Sequence, residues 1–495
     1  MTIINLRLMK LSLSKKFGTL LLLGFLSCGI WQCNAAGDSG ESVATGVAEP
    51  ENADITITVA GMGADKVLLV GMLNDQQFIV DQMESDANGM VHFKHDEPYK
   101  PGMYFVVLPS NANFQVLISE DQTFSLQTNI NDLVGAMQVQ ESTDNELLYQ
   151  NLRYEADYQR RLQPITSQLK NLDKSNPSFA QLEASRDALI EERRQTLDQL
   201  FQNHPQSFFV KFKKAGQNPA IHPELSSEDQ VTYYRMEFWD DVDLSDPRLM
   251  ATPVIYNKLK RYFEELTPQQ PDSIILSLER LVAKIPNTKG SEYYKYFVNW
   301  VALAYEPTKT TLMDAEAVFV HMIQQHFTPE RAFWSDSANT YALQLRAAEM
   351  ANSLINQPGP NVKAPDINGQ LRAVYDLKAP YIVVYLYNPD CEHCQEQSPV
   401  LVNLYQRWQA QSPSLVDVYA IAVDTEADLW RAYVAKTGMT WTNVFDPTNK
   451  AIYKTYFVNV TPEVYVLGPD RKIIAKNLNV DQLEEVIRRD QEKRK

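Results

Sequence analysis

Seven consecutive residues, Tyr381 to Tyr387, are apolar or aromatic without interruption, and a helical pattern opens just beyond them at Cys391. A strand with no polar face must be covered on both sides, so this stretch belongs in a sheet layered between helices. Leu415 to Val423 repeats that character, and residues 463–467 and 472–476 flank Gly468-Pro469-Asp470 as an antiparallel hairpin. Helices are expected from Cys391 to about Gln409, near 426–436 and 449–456, and over 480–489. Pro358-Gly359-Pro360 marks where the alternation begins, which predicts an α/β domain over 358–495.

Upstream the periods differ. Ile55-Thr56-Ile57-Thr58-Val59 alternates, and short apolar runs follow near 67–72, 78–80, 91–93, 103–108, 114–118 and 124–128. Asn88-Gly89, between two of these runs, predicts a tight hairpin, and the whole reads as a small antiparallel β-sandwich over 53–130. From 140 to 356 the spacing is helical. Thr143 and Glu146 are placed as a capping box, and Asn176-Pro177 offers a cap and first residue for a second helix running to about Asn203. Later pieces are punctuated by prolines and rich in aromatics such as Tyr293, Tyr294, Tyr296, Phe297 and Trp300, read as helix–helix core rather than a peptide groove. At 495 residues the chain is too long for one ordinary core, so it is expected to be multidomain: β-sandwich, then all-α region, then α/β domain.

Lys15 and Lys16 precede an apolar run from Phe17 to Leu26 that is too short to span a bilayer, which predicts a secretory leader over 1–36. Phe25-Leu26-Ser27-Cys28 resembles a bacterial lipobox, implying lipidation at Cys28, with Ile30-Trp31-Gln32-Cys33 as a rival. Residues 37–52, rich in Gly, Ser, Glu and Ala, read as a flexible tether. The expected location is the cell envelope, on the periplasmic side, with a lipid anchor to a membrane. A formal charge of −16 argues against nucleic acid as a partner.

Of four cysteines, two lie in the leader, so the folded part holds one pair, Cys391 and Cys394. A bridge closing so short a loop constrains the unfolded chain little and suits reversible chemistry. Cys391-Glu392-His393-Cys394 stands where a buried strand passes into a helix, and free N–H groups and the helix dipole favour a thiolate there. Cys391 is the expected nucleophile, because the thiolate is the attacking species, and Cys394, one turn on, is expected to resolve the mixed disulfide.

Ala364-Pro365-Asp366, the Cys391–Cys394 motif, Pro399 and Thr461-Pro462 together resemble the TlpA and ResA group of thioredoxin-like proteins, over about 358–495. The resemblance implies a thioredoxin-like fold and thiol–disulfide oxidoreductase activity, with Thr461-Pro462 as a cis proline beside the cysteines and Glu392 and His393 in support. An X-Pro bond costs only ~0.5–1 kcal/mol to hold cis. Protein thiols and disulfides are the implied partners, with a redox protein that recycles the dithiol. Upstream, Lys100-Pro101-Gly102-Met103-Tyr104, Val107-Leu108-Pro109 and Asn145-Glu146-Leu147 resemble the β-domain and helical region that precede thioredoxin domains in exported proteins of Bacteroidetes-type bacteria.

The chain departs from that group at Asp390, where Trp is usual, and at Tyr385, where a buried acid is often found. Proton transfer at Cys394 then falls to Glu392, water or substrate. His393 favours an oxidising pair by stabilising the Cys391 thiolate, whereas Glu392 and Asp390 push the other way, so both directions stay open. No organic cofactor is required.

Other chemistries fit less well. A zinc site needs about four ligands, and one C-x-x-C has no second cysteine pair. His321 and His326, five apart on a helix, do not share a face well, and His92 and His95 point to opposite faces of a strand, so all four read as surface histidines and no metal is expected. A thiol peroxidase would carry Thr three residues before its reactive cysteine, where Asn388 stands. A cell-envelope binding protein, using the α/β domain as an interaction module, is the rival of a different class.

Overall fold

A computed structural model describes residues 52–411 and 413–495. The leader, Cys28, Cys33 and nearly all of the 37–52 tether lie outside them. Among the described residues no helix is long and apolar enough to cross a membrane.

Eight strands open the described chain: β1 (Ala53–Ala60), β2 (Lys66–Leu73), β3 (Gln76–Glu84), β4 (Met90–His95), β5 (Gly102–Val107), β6 (Asn113–Ile118), β7 (Thr123–Asn129) and β8 (Gln138–Gln140). They make two four-stranded sheets, ordered β4-β1-β7-β8 and β3-β2-β5-β6. The alternation read in β1 puts Ile55, Ile57 and Val59 into the core. Pairing is antiparallel except between β1 and β7, which run parallel because the intervening strands carry the chain through both sheets before it returns.

The Asn88-Gly89 expectation needs correction, because β3 and β4 lie in different sheets. Gly89, at φ 78°, turns the chain from one layer to the other, with Asp86 Oδ1 accepting from the N–H groups of Asn88 and Met90. The two-residue hairpin is Asn74-Asp75, between β2 and β3, where Asn74 takes φ 56°. Asn tolerates that left-handed region better than most residues.

Helix α1 (Thr143–Asn171) is capped by Ser142, one residue before the predicted Thr143, and the Ser142 side chain accepts from the Asn145 N–H. Thr143 is instead the first helical residue, and Glu146 is exposed. The first turn is stitched to the sandwich: the Asn145 side chain accepts from the Leu117 N–H at 2.9 Å and donates to the Leu117 carbonyl at 2.7 Å. Asp144 accepts from Ser119 and from the Phe209 N–H. Helix α2 (Pro177–Asn203) begins as expected at Asn176-Pro177 and returns along α1, with Arg193 on Glu155 and Arg161 on Glu192.

Seven shorter helices follow: α3 (Phe208–Ala215), α4 (Ser227–Glu237), α5 (Pro253–Arg261), α6 (Pro271–Ala283), α7 (Glu292–Ala304), α8 (Ala315–His326) and α9 (Ser337–Met350). Tyr293, Tyr294 and Phe297 of α7 are buried among them, with Tyr296 and Trp300 half-buried beside them. One apolar cluster runs from Ile55 in the sandwich to Met350 in α9, so β-sandwich and helices share a core.

The C-terminal part adds a short ribbon, β9 (Lys363–Pro365) and β10 (Leu371–Ala373), and then the expected alternation: β11 (Tyr381–Tyr387), α10 (Glu392–Gln409), β12 (Val416–Ala422), α11 (Ala427–Thr437), β13 (Thr442–Phe445), β14 (Glu463–Leu467), β15 (Ile473–Lys476) and α12 (Leu483–Lys493). The sheet order is β13-β12-β11-β14-β15, with β12 and β13 parallel to β11, β14 antiparallel to β11 and β15 antiparallel to β14. A π-helical turn, Ala451–Tyr456, occupies the place of the short helix expected near 449–456.

Every residue of β11 is buried, as its uninterrupted pattern requires. One face packs on α10, α11 and α12 through Leu401, Trp408, Trp430, Val434, Leu483 and Ile487. The other is covered by Val374, Ala451, Ile452 and Tyr456 and abuts the end of the helical region. There Lys476, fully buried, donates to the Ser353 carbonyl at 3.2 Å and stands 3.3 Å from Glu316 Oε2 and 3.9 Å from Asp314 Oδ1.

Candidate active site

Strand β11 ends at Tyr387 and delivers the chain to a loop that Asn388 holds in shape. Its side-chain oxygen accepts from the Asp390 N–H at 2.8 Å, its amide donates to the Asp424 carbonyl at 2.9 Å, and its own carbonyl accepts from the Cys391 N–H at 3.1 Å. Gln395 fastens the same loop from the helix by donating to the Pro389 carbonyl. Cys391 is therefore placed as the N-cap of α10, with extended backbone and its sulfur accepting from the Cys394 N–H at 3.4 Å. A polar side chain is common at this position because the first turn leaves N–H groups without partners.

The two sulfurs have different surroundings. Cys391 is half-buried and Cys394 wholly buried, and both are free thiols. Burial alone raises the pKa of Cys391, but contacts with the Cys394 and Thr461 side chains and the backbone N–H groups of Cys394 and His393 outweigh it, and the net shift is downward. The Cys391 thiol also donates to the Thr461 carbonyl at 3.0 Å, a contact that only the protonated form makes. Cys394 is pushed up to about 12, first by burial and then by its neighbour Cys391. One sulfur is primed to ionise and the other to stay protonated.

The structure thus brings Cys391, Cys394 and Thr461 together, with the Thr461-Pro462 bond cis and Pro462 half-buried. Glu392 and His393 stand apart from the sulfurs, exposed in the first turn. The His393 ring lies 3.6 Å from Glu396, and the backbone N–H of His393, rather than its imidazole, bears on Cys391.

Around Cys394 the approaching groups are neutral. Tyr385 hydrogen-bonds Ser398 at 2.9 Å, Tyr387 stacks on Tyr385, and the Tyr433 hydroxyl donates to the Cys394 carbonyl at 3.0 Å. Ser398 and Tyr433 were not expected from the sequence. Ser398 had a signal, because it lies one turn beyond Cys394 on the same face of α10; Tyr433 had none, because only the packing of α11 brings it there.

One of the two histidine readings changes. His92 and His95 meet separate carboxylates, Asp54 and Asp81, as opposite strand faces require. His321 and His326 do not behave as surface residues: both contact Glu279 of α6, and His326 is completely buried. Spacing along α8 misled because the residue that unites them comes from another helix.

Residues 355–476 match the AhpC/TSA family, a match that falls on the C-terminal α/β region. No curated protein matches the sequence. Among solved structures, a thioredoxin-like protein from Bacteroides caccae is 17% identical, with 55% of this chain and 97% of that one covered and a TM-score of 0.42. A domain of a possible thiol-disulfide isomerase from Cytophaga hutchinsonii is 25% identical, with 29% and 97% covered and a TM-score of 0.27. The thioredoxin domain of a thiol-disulfide oxidoreductase from Bacteroides vulgatus is 20% identical, with 27% and 96% covered and a TM-score of 0.25. The family match and the strand order agree that the C-terminal domain has a thioredoxin-like fold.

Proposed function

We propose that the protein is an exported thiol–disulfide oxidoreductase of the cell envelope, lipid-anchored on the periplasmic side, that exchanges disulfides with other proteins through Cys391 and Cys394. The observation that carries the reading is the asymmetry of the pair: a half-buried Cys391 with a lowered pKa at the start of α10, beside a buried Cys394 pushed up to about 12.

The chemistry balances as two exchanges. The Cys391 thiolate attacks one sulfur of a substrate disulfide, that S–S bond breaks, and its other sulfur leaves as a thiolate while a mixed disulfide forms. Cys394 passes its proton to water or to the substrate thiolate released first, attacks Cys391 Sγ and releases the second substrate thiolate. Two electrons pass from the dithiol to the substrate, and a redox partner must return them. The turn of His393 toward Glu396 supports the reducing direction, since no imidazolium then sits against the Cys391 thiolate.

Two measurements test this. Cys394→Ala should accumulate mixed disulfides with substrate proteins in cells, and Cys391→Ala should abolish both trapping and turnover; a Cys394→Ala chain that captures no partner counts against exchange. The reduction potential should lie near ~−270 mV for a reductant, whereas a value near ~−120 mV would reverse the assigned direction.

A further inference from the structure

Away from the dithiol, one set of side chains has no part in the proposed exchange. Glu279 on α6 and His321 and His326 on α8 converge so that the Nε2 atoms of both imidazoles lie 2.7 and 2.9 Å from the same carboxylate oxygen, Oε1. The three ligand-capable atoms all fall within 4.8 Å of one another, and among the described residues no other three His, Cys, Asp or Glu side chains meet in this way.

Two further features distinguish the cluster from an ordinary ion pair. The buried His326 ring is held at its other nitrogen, where Nδ1 lies 3.0 Å from the Tyr294 hydroxyl of α7. Metal-bound histidines are oriented through the non-ligating nitrogen in this manner. The side chains of His321 and Glu279 are 27% and 42% exposed, which leaves a path for an ion and its water on one side while His326 closes the other.

We propose that Glu279, His321 and His326 form a binding site for one Zn²⁺ ion, with water completing the coordination. Two imidazole nitrogens and one carboxylate oxygen are a donor set suited to this borderline ion, and three protein ligands leave a fourth position open. Binding needs each Nε2 lone pair free, so each imidazole carries its proton on Nδ1, and that of His326 then donates to the Tyr294 oxygen. Metal–ligand bonds of ~2.0–2.1 Å set tetrahedral ligand separations of roughly 3.3 Å, so the contacts must open by about half an ångström. Glu279, the most exposed member, can move outward. The ion would tie α6 to α8, whose first turn carries the Glu316 that meets Lys476 of the α/β domain.

The test uses the full chain carrying Cys28→Ser, Cys33→Ser, Cys391→Ser and Cys394→Ser, so that no thiolate competes for metal. Zn²⁺ titrated against a chromophoric chelator should show one site per chain, and Co²⁺ should give the visible absorption of a tetrahedral site. His321→Ala and Glu279→Gln, at partly exposed positions that spare the buried His326, should each weaken Zn²⁺ by at least tenfold and abolish the rise in Tm that Zn²⁺ gives the parent. A parent that binds no stoichiometric Zn²⁺, or variants that bind it equally well, would overturn the proposal.

Discussion

The two faces of the β11–β14 sheet bury polar chemistry in opposite ways. Toward α10 and α11, Cys394 is surrounded by neutral groups, the hydroxyls of Tyr385, Ser398 and Tyr433 and the ring of Tyr387. On the reverse face, Leu386 pairs with Glu463, and that carboxyl accepts from the Tyr465 hydroxyl in a fully buried cluster with Lys476, Asp314 and Glu316. Successive strand residues face opposite ways, so a single step along β11 separates the hydroxyl-lined thiol from the charges. The acid that the sequence lacks beside Cys394 is present across the sheet instead, where the helical region supplies two more carboxylates and Lys476 offsets them. The covering region, and not the thioredoxin-like domain alone, decides which face can hold charge.

This contrast can be broken from the charged side. Lys476→Met leaves Glu463, Asp314 and Glu316 buried without their cation, and breaking such a cluster costs about 3–5 kcal/mol. Urea unfolding should show that loss while the alkylation rate of Cys391 in the folded protein stays unchanged; a change in Cys391 reactivity would mean that the two faces communicate.

A smaller effect depends on pH. Burial pushes the Glu463 carboxyl up to about 7, against the opposing pull of Lys476. The folded state then holds this proton more tightly than the unfolded chain, so the contribution is fully present below the unfolded pKa near 4.5 and is lost as pH rises through about 7. The stability of the wild type relative to Glu463→Gln should therefore fall across that window, by up to about 3 kcal/mol at 1.36 kcal/mol per pKa unit. A flat difference between pH 5 and 8 would show that Glu463 is ionised throughout.

The smallest effect belongs to the neutral side. Tyr433→Phe removes one hydrogen bond to the Cys394 carbonyl and should cost about 0.5–1.5 kcal/mol with no new pH dependence.

The legibility of these features in the sequence follows their physics. β11 was readable to the residue because a strand buried on both faces has no polar position to blur its ends. The Cys391 helix start was readable because the chemistry of the motif and the geometry of an N-cap coincide. Asn88-Gly89 was misread because a glycine at positive φ serves a crossover between sheets as well as a hairpin, and local sequence does not say which strands pair. β13 escaped notice because four residues at a sheet edge carry too little periodicity. The buried Lys476 and the Glu279 cluster were invisible for a shared reason: each is completed by residues from elements far away in the chain.

The Asn145 amide that grips both backbone groups of Leu117, with the Tyr149 hydroxyl on the Gln115 carbonyl, has one more consequence. β6 is the last strand of its sheet, and an open border of unpaired backbone groups invites another chain to add on. Here a helix supplies the pairing with side chains, so it closes that border without extending the sheet. A covalently continuous stopper of this kind guards the chain against association through β6 once α1 is folded onto it.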